Sequence, residues 1–252
     1  MDFFEVHYQK LQETKCAVGD WNGRIPHNWF NAVMPLAARN SNMTYKLSKN
    51  KVSRSELFDM ARDTKNISIE SCCVSIFAWG GMKKAHGVAL FSRNAKWLIL
   101  ADEIRQGKYD RAEAYNRFSK LRANGDVPGM GPAYFTKLIF FLQPSSPRGY
   151  IMDQWTSASI NLLFGQIVKT KVSKQAKGRG GLDETVCDSN SSVDYELFCA
   201  GIEHTAKRLG VRPEHAEEMM FSKGGKHKGA WRQHVISERL KNASTTKGGQ
   251  PA

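Results

Sequence analysis

Residues 127–132 read Val-Pro-Gly-Met-Gly-Pro and separate two stretches with apolar residues at three- and four-residue spacing, Asp110–Asn124 and Pro132–Leu142. This spacing predicts a helix on each side of a short turn. The two glycines let an anion approach the backbone, and the N–H groups and dipole at the start of the second helix favour negative charge. The turn is therefore a candidate phosphate-binding site, with a DNA backbone as the natural ligand and a purely structural turn as the alternative.

The remainder of the chain is also predicted to be mostly helical, because strand signals are scarce and helical spacing of apolar residues recurs. The further predicted helices are Ser55–Asp63, Ala95–Gln106, Gln154–Phe164, Val193–Leu209 and Pro213–Phe221. Polar sequence without periodicity predicts a basic loop at Lys169–Gly181, a polar flank at Leu182–Ser192 and a disordered tail at Asn242–Ala252.

These elements are expected to form two helical lobes. Residues 110–164 would form the lobe that contains the turn, and residues 1–109 would pack with C-terminal helices within 193–241 in the other. Residues 165–192 would be the basic and polar loop, and residues 242–252 the tail.

The composition indicates a basic, folded protein. Lys and Arg number 37 against 24 Asp and Glu, which gives a formal net charge of +13, and a positive field attracts polyanions. Hydrophobic residues at 41% and charged residues at 24% exclude a chain that is mainly disordered, collagen-like or coiled-coil. No apolar run approaches the roughly 18 residues of a membrane span, and the start lacks a signal-peptide pattern. We therefore expect a cytoplasmic protein with no membrane partner.

The cysteines and histidines do not predict a metal site. The five cysteines lack CxxC spacing, and the seven histidines lack an HxxxH pair or a neighbouring cysteine. We therefore expect reduced thiols and neither zinc nor an iron–sulfur cluster. The neighbours Cys72 and Cys73 lie in an apolar run, which favours buried small hydrophobic residues over a redox pair.

The turn and an aspartate downstream of it together resemble the helix-hairpin-helix DNA glycosylases. In that family the hairpin reads approximately Leu-Pro-Gly-Val-Gly, and a catalytic aspartate opens the next helix; VPGMG at 127–131 and IMDQWT at 151–156 match both parts. Longer runs between about Asp110 and Phe221 are similar to the bacterial 8-oxoguanine-glycosylase-fold proteins. The resemblance implies a mostly α, two-lobed fold and, as partner, double-stranded DNA that contains a modified base. We expect the protein to act as a monomer.

Within this resemblance Asp153 takes the position of the catalytic carboxylate. Breaking an N-glycosidic bond develops positive charge on the deoxyribose, so a fixed carboxylate can stabilise the transition state and orient or deprotonate the attacking water. The alternative role for Asp153 is that of a helix N-cap, worth about 1 kcal/mol, and both roles can coexist.

The lysine that lyase members of the family use as a nucleophile is replaced by Ala133. A lyase needs an amine that forms a Schiff base with the sugar. The nearest amine is Lys137, one turn further along the same helix, which would be catalytic only in a lyase and is otherwise an exposed or DNA-facing lysine. Ala133 therefore favours a monofunctional enzyme that leaves an abasic site.

An extruded base needs a pocket that offsets the cost of unstacking. The candidates are Trp155, Gln154 and Trp79, with core packing as the alternative for both tryptophans. Phosphate contacts are expected from the turn and from nearby basic side chains, namely Gly129, Met130, Gly131, Lys120, Arg122 and Arg148. The basic loop and the run Lys223–Lys228 are further candidates for backbone contact.

The resemblance also implies a cation, since hairpin carbonyls in the family hold a monovalent or divalent ion. In this chain the resemblance implies that the carbonyls of Gly125, Val127 and Met130 bind the cation. No other cofactor is expected.

The identity of the substrate base is open at this level. Some relatives are antiviral glycosylases that remove glucosylated hydroxymethylcytosine from phage DNA, and a monofunctional enzyme acting on such a hypermodified pyrimidine is the leading hypothesis. One alternative is an 8-oxoguanine glycosylase and AP lyase of base excision repair that uses Lys137. The other is a non-catalytic helix-hairpin-helix module that only binds DNA.

Overall fold

The structure, a computed structural model, describes residues 3–14, 21, 23–34, 45–92, 96–144, 147–172, 184–222 and 228–247. Within those ranges it contains twelve α-helices and one two-stranded sheet, so the prediction of a mostly α fold is confirmed. None of the helices in these ranges has the length and apolar character needed to cross a membrane. In chain order the elements are α1 Glu5–Glu13, α2 Pro26–Val33, α3 Arg54–Arg62, α4 Ile69–Trp79, α5 Lys84–Phe91, α6 Lys96–Arg105, α7 Arg111–Ala123, α8 Pro132–Leu142, α9 Gln154–Phe164, β1 Thr170–Val172, β2 Glu184–Val186, α10 Ser192–Leu209, α11 Pro213–Phe221 and α12 Ala230–Lys247.

The stretch predicted as a basic loop contains the sheet. Strand β1 pairs antiparallel with β2, and Thr170 lies opposite Val186. The loop prediction is therefore wrong for Thr170–Val172 and for Glu184–Val186. Both strands are only three residues long, too short for alternation to appear in the sequence, but their β-branched Thr and Val residues favour extended backbone. Residues 173–183 lie outside the described residues, as do residues 223–227 of the second basic run.

The C-terminal helix extends into the stretch that was predicted to be a disordered tail. Helix α12 runs to Lys247, so the prediction of a disordered tail is wrong for residues 242–247. Extending an existing helix adds one hydrogen bond for each residue that is fixed, which is easier than nucleating a new helix. Residues 248–252 lie outside the described residues.

The chain divides into two compact units. Unit 1 comprises Met1–Gly19, Met152–Asn190 and Leu197–Ala252, and unit 2 comprises Asp20–Ile151 and Ser191–Glu196. The predicted division into lobes is wrong, because residues 20–109 belong with the hairpin helices and α9 belongs with the C-terminal helices. Apolar periodicity shows which face of a helix is buried, but it does not identify the helix that covers that face.

Helix α4 forms the centre of unit 2. It packs against α2, α3, α6 and α8, and every residue from Ser71 to Trp79 is buried. Burial raises the pKa of the Cys72 thiol to about 12 and that of Cys73 well above its ordinary value, so both thiols are protonated at neutral pH. The prediction that this pair consists of buried small hydrophobic residues is confirmed. Cys16 lies outside the described residues.

A buried arginine closes the end of α3 in the same unit. Arg105 donates to the backbone carbonyls of Ala61 at 2.7 Å, Ile67 at 2.9 Å and Met60 at 2.9 Å. Carbonyls in the last turn of a helix have no partner within the helix, so this side chain satisfies groups that burial would otherwise leave unpaired.

The turn between α7 and α8 depends on its glycines. Gly125 has φ +77° and Gly129 has φ +75°, a region that side chains disfavour. At Gly129 space is limiting as well, because an added Cβ would lie 2.8 Å from the Cα of His86. Gly131 then caps α8 without a side-chain hydrogen bond, and Pro132 occupies the first turn, as predicted.

In unit 1 the helix α9 packs against α1, α11, α12 and β2. Ser159 joins three of these helices, since its hydroxyl donates to the Met220 carbonyl at 3.0 Å and accepts from the Trp231 indole at 2.8 Å. Helices α1 and α12 are joined by His7 and His234, whose ring nitrogens lie 3.1 Å apart. Unit 1 thus holds the start of α9 in place from several sides.

We expect Gly129→Ala to destabilise the protein more than Gly125→Ala. Both substitutions place a side chain at positive φ, at a cost of about 1–2 kcal/mol, but only Gly129 also meets the His86 backbone, whereas nothing lies within 4 Å of a Cβ at Gly125. Chemical denaturation of both variants measures the difference. Equal losses would show that the contact with His86 does not constrain the hairpin.

We expect the stability of the protein to fall as the pH drops below about 6.5. Burial lowers the pKa of His7 and of His234, and the negative charge of Glu238 raises both pKa values by a smaller amount. The folded pair therefore stays neutral at pH values where the same histidines in the unfolded chain bind protons. The denaturation midpoint should decrease between pH 7.5 and pH 5.5. His234→Gln should reduce this decrease, while His215→Gln, outside the pair, should leave it as in the wild type. An unchanged decrease in His234→Gln would assign the effect to other groups.

Candidate active site

Asp153 occupies the N-cap position of α9, as the sequence predicted. One carboxylate oxygen, Oδ1, accepts from the backbone N–H of Trp155 at 2.8 Å and of Thr156 at 3.1 Å. The Thr156 hydroxyl accepts from the Asp153 N–H at 3.0 Å, which completes a capping box. The backbone and the side chain of Asp153 are therefore both fixed, and only 8% of the residue is exposed.

The second carboxylate oxygen of Asp153 has a different role. No residue in the described part of the chain donates a hydrogen bond to Oδ2. The capping bonds set its direction, so it is a rigidly held acceptor that needs no rearrangement before it acts. A preorganised anion of this kind can stabilise positive charge or hold a water molecule.

The ring of Trp155 lies among arginine side chains. The guanidinium carbons of Arg232 and Arg239 lie 4.2 Å and 5.5 Å from its centroid. Both are cation–π contacts, and both arginines belong to α12. Trp155 is half-buried and directly follows the first residue of α9, so part of its surface is available to a ligand.

Gln154 is engaged by its neighbours. Its amide nitrogen donates to the carbonyl of Glu184 at 2.9 Å, and its amide oxygen accepts from the Trp155 indole N–H at 3.0 Å. The side chain therefore ties the Trp155 indole to β2. Reading of a base edge by Gln154 stays a prediction, and it would require these bonds to break.

Arg232 was not among the predicted site residues. Asp153 acts on it electrostatically and raises its pKa, whereas burial has the larger effect and lowers the pKa to about 10. The helix that contains it, α12, was not predicted from the sequence. The sequence therefore could not indicate that this arginine lies on a buried helix face.

The hairpin in unit 2 leaves amides available for an anion. The N–H of Met130 donates to the Val127 carbonyl at 3.2 Å, whereas those of Gly131 and Ala133 donate to no acceptor within the described ranges. Open amides at the start of a helix bind phosphate. Of the three predicted turn residues, Gly131 therefore offers its amide, Gly129 provides the turn conformation, and Met130 is a buried core residue.

The carbonyls expected to hold a cation do not suit one here. The Val127 oxygen accepts from the Arg122 guanidinium at 3.4 Å as well as from the Met130 N–H. A guanidinium at this oxygen repels a metal ion, and Gly125 and Met130 would be left as the remaining ligands.

Two of the predicted basic side chains lie in the last turn of α7, next to the hairpin turn. Lys120 is exposed, and Arg122 donates to the Val127 carbonyl as described. Arg148 stacks over the ring of Phe58 at 4.7 Å, beside Phe140 and Phe141 near the other end of α8, so its contact with phosphate stays a prediction. His86, which packs against Gly129, has its pKa lowered by burial and by the positive charges of Lys83 and Arg122. The surroundings of the hairpin are thus electropositive, which suits a DNA backbone.

Lys137 and Trp79 lie in the interior of unit 2. The Lys137 ammonium donates to the Ala133 carbonyl at 2.5 Å, only 6% of the residue is exposed, and an added Cβ at Gly80 would lie 2.6 Å from its Cδ. The Trp79 indole N–H donates to the Trp21 carbonyl at 2.9 Å, and 5% of Trp79 is exposed. Core packing, the alternative for Trp79, fits this placement better than base stacking does.

The predicted residues thus fall into two groups. In unit 1 the start of α9 brings together Asp153, Gln154 and Trp155, and it adds Arg232 to them. In unit 2 the turn residues lie with Arg122 and His86, of which His86 was not predicted. No local pattern marks His86; its closeness to Gly129 arises from the packing of α5.

Comparison with known proteins gives one match. Residues 11–221 match the family model described as "putative 8-oxoguanine DNA glycosylase OGG-like protein". Searches of curated proteins and of solved structures found no match. The matched residues include both the hairpin and Asp153, and they cover most of the 252 residues. The chain therefore belongs to this OGG-like family.

Proposed function

We propose that this protein is a DNA N-glycosylase that extrudes a modified base from double-stranded DNA and excises it, with Asp153 as the catalytic carboxylate. The observation that carries the proposal is the geometry of Asp153, with one oxygen fixed by the start of α9 and the other free of described donors. Asp110 also caps a helix through one oxygen, but it is exposed, whereas only 8% of Asp153 is exposed. Membership of a DNA glycosylase family supports the same conclusion.

The proposed reaction uses the residues as follows. The open amides of Gly131 and Ala133 bind a backbone phosphate, and this contact positions the DNA without reading its sequence. The modified base leaves the stack at a cost of a few kcal/mol. As the bond between C1′ and the base nitrogen breaks, its electron pair departs with the base, and the Asp153 carboxylate stabilises the positive sugar. A water molecule adds its oxygen to C1′ and passes a proton toward Asp153.

The product is expected to be an abasic site in an intact strand. A lyase requires a lysine amine that can reach C1′ of the sugar, and position 133 is an alanine. The amine of Lys137 is buried and donates to the backbone of its own helix. These two features support a monofunctional enzyme.

For the base, we propose a hypermodified pyrimidine of phage DNA, with glucosylated hydroxymethylcytosine as the first candidate and antiviral defence as the role. The support is the resemblance of the sequence to the bacterial 8-oxoguanine-glycosylase-fold proteins, some relatives of which are antiviral glycosylases, together with the lack of a lysine at position 133. A second candidate is 8-oxoguanine, which the description of the matched family favours. The alternative is a protein that binds DNA through the hairpin and releases no base.

We expect Asp153→Asn to reduce base release by roughly 10²- to 10⁴-fold, because asparagine keeps the capping oxygen and removes the charge. The measurement is single-turnover release from duplexes with 8-oxoguanine, uracil, hydroxymethylcytosine or glucosylated hydroxymethylcytosine. Asp110→Asn is the matched control, since Asp110 caps α7 with a 2.8 Å bond to the Glu113 N–H and should tolerate the change.

Two outcomes would contradict this assignment. If Asp153→Asn released base as fast as Asp110→Asn, the carboxylate would be only a cap. If the wild type bound the duplexes but released no base from any of them, the protein would be a binding module.

We expect strand cleavage to require alkali for the wild type and for Lys137→Met alike, because no Schiff base forms. Each product is analysed on a denaturing gel with and without alkali, and borohydride is added to trap any covalent adduct. Lys108→Met, an exposed lysine paired with Glu103, serves as a control for the loss of one positive charge. A trapped adduct that is lost only in Lys137→Met would establish a lyase and favour the 8-oxoguanine alternative.

A further inference from the structure

Arg232 is a cation buried inside unit 1. Only 6% of it is exposed, and its guanidinium donates to the carbonyls of Phe221 and Ser222, the latter at 2.9 Å. The guanidinium carbon also lies 4.8 Å from the centroid of the Phe221 ring, in addition to its contact with Trp155. The carbonyls and the two rings fix the place and the plane of a positive charge next to the start of α9.

This position is unfavourable for an arginine that only stabilises the fold. Arg232 lies in the first turn of α12, where the helix dipole disfavours a cation. Removing a charged group from water costs several kcal/mol, and no described carboxylate forms an ion pair that offsets it. The carboxylate whose charge acts on Arg232 is that of Asp153.

Arg105 shows what a purely structural arginine looks like in this chain. It is equally buried, and it donates to three carbonyls that need partners at the end of α3 and beyond it. No aromatic ring or site residue is among its described partners. Arg232 satisfies two carbonyls, and its remaining interactions go to Trp155 and Asp153.

We infer that Arg232 is a positioning residue of the proposed active site, which holds the Trp155 ring in place and sets a fixed positive charge beside the Asp153 carboxylate. This inference rests on the proposed glycosylase function. Trp155 is the link between the two groups, because the Arg232 guanidinium lies 4.2 Å from its ring and its backbone N–H donates to Oδ1 of Asp153. A ring that is held in place keeps the start of α9 preorganised for the proposed reaction. The resemblance and the family match do not assign this role, since the matched residues end at Phe221.

Several other charged groups on the elements packed against α9 form pairs with one another. Arg239 of α12 lies 3.4 Å from Glu184 of β2, and Glu217 is fully buried on α11. On α1, Lys10 pairs with Glu13, and Glu5 pairs with Arg208 of α10. His7 of α1 pairs with His234 of α12.

The test measures single-turnover base release at neutral pH on a duplex that the wild type cleaves. Arg232→Met keeps the length of the side chain and removes its charge and its planar contact with Trp155, so the rate should fall about tenfold or more. Arg232→Lys keeps the charge and loses only the planar contact, so it should restore part of the rate. Binding to undamaged DNA should not change in either variant.

Arg105→Met and Arg105→Lys are the matched controls for a structural role. They should lower the thermal midpoint and leave the rate of base release by the folded protein as in the wild type. Wild-type rates in both Arg232 variants would overturn the inference. If Arg232→Met fails to fold, a wild-type rate in Arg232→Lys would overturn it. A wild type that releases no base from any duplex would instead overturn the proposed function, and the inference with it.

Discussion

The hydrogen bonds from the start of α9 to Asp153 are the constraint on which the site depends. The first N–H groups of a helix have no partner within the helix, and α9 lies packed against four other elements, which limits the access of water to its first turn. A side chain must supply the acceptor, and Oδ1 of Asp153 does so. Because the capping bonds hold one oxygen, they also direct the other. A requirement of folding thus orients the group that carries the proposed chemistry.

One helix start in each unit meets the same requirement in the opposite way. Helix α9 is closed by the internal carboxylate of Asp153, whereas α8 begins at Gly131, which has no side chain and leaves amides open. The first arrangement supplies the negative charge that the proposed reaction requires. The second leaves open amides, which can bind an anion. The unpaired N–H groups of a helix start are thus satisfied internally by an aspartate at α9 and left open by a glycine at α8.

The parts of the structure that were predictable are those with local signals. Helices α8, α9 and α11 have the expected bounds because Pro, Gly and Asp mark their ends. Helix α4 gave no amphipathic pattern, since it is buried on all sides, and the strands were too short for alternation to appear. The division into units and the placement of Arg232 depend on contacts between distant segments. Such contacts arise from tertiary packing, so a pattern within one segment does not predict them.

The contrast between Arg105 and Arg232 bears on how such a site is built. Both are buried guanidinium groups that donate to backbone carbonyls at helix ends, so the same device occurs in each unit. Arg105 donates only to backbone carbonyls, so its role is to stabilise the fold. The face of the Arg232 guanidinium contacts the ring of Trp155, and its charge interacts with that of Asp153. Burying this charge costs free energy. The cost of burying a charge does not by itself distinguish the two arginines, because 6% of each is exposed. The difference is that Arg232 also contacts the ring of Trp155, whose N–H donates to Asp153, and this contact is the basis of the role proposed for Arg232.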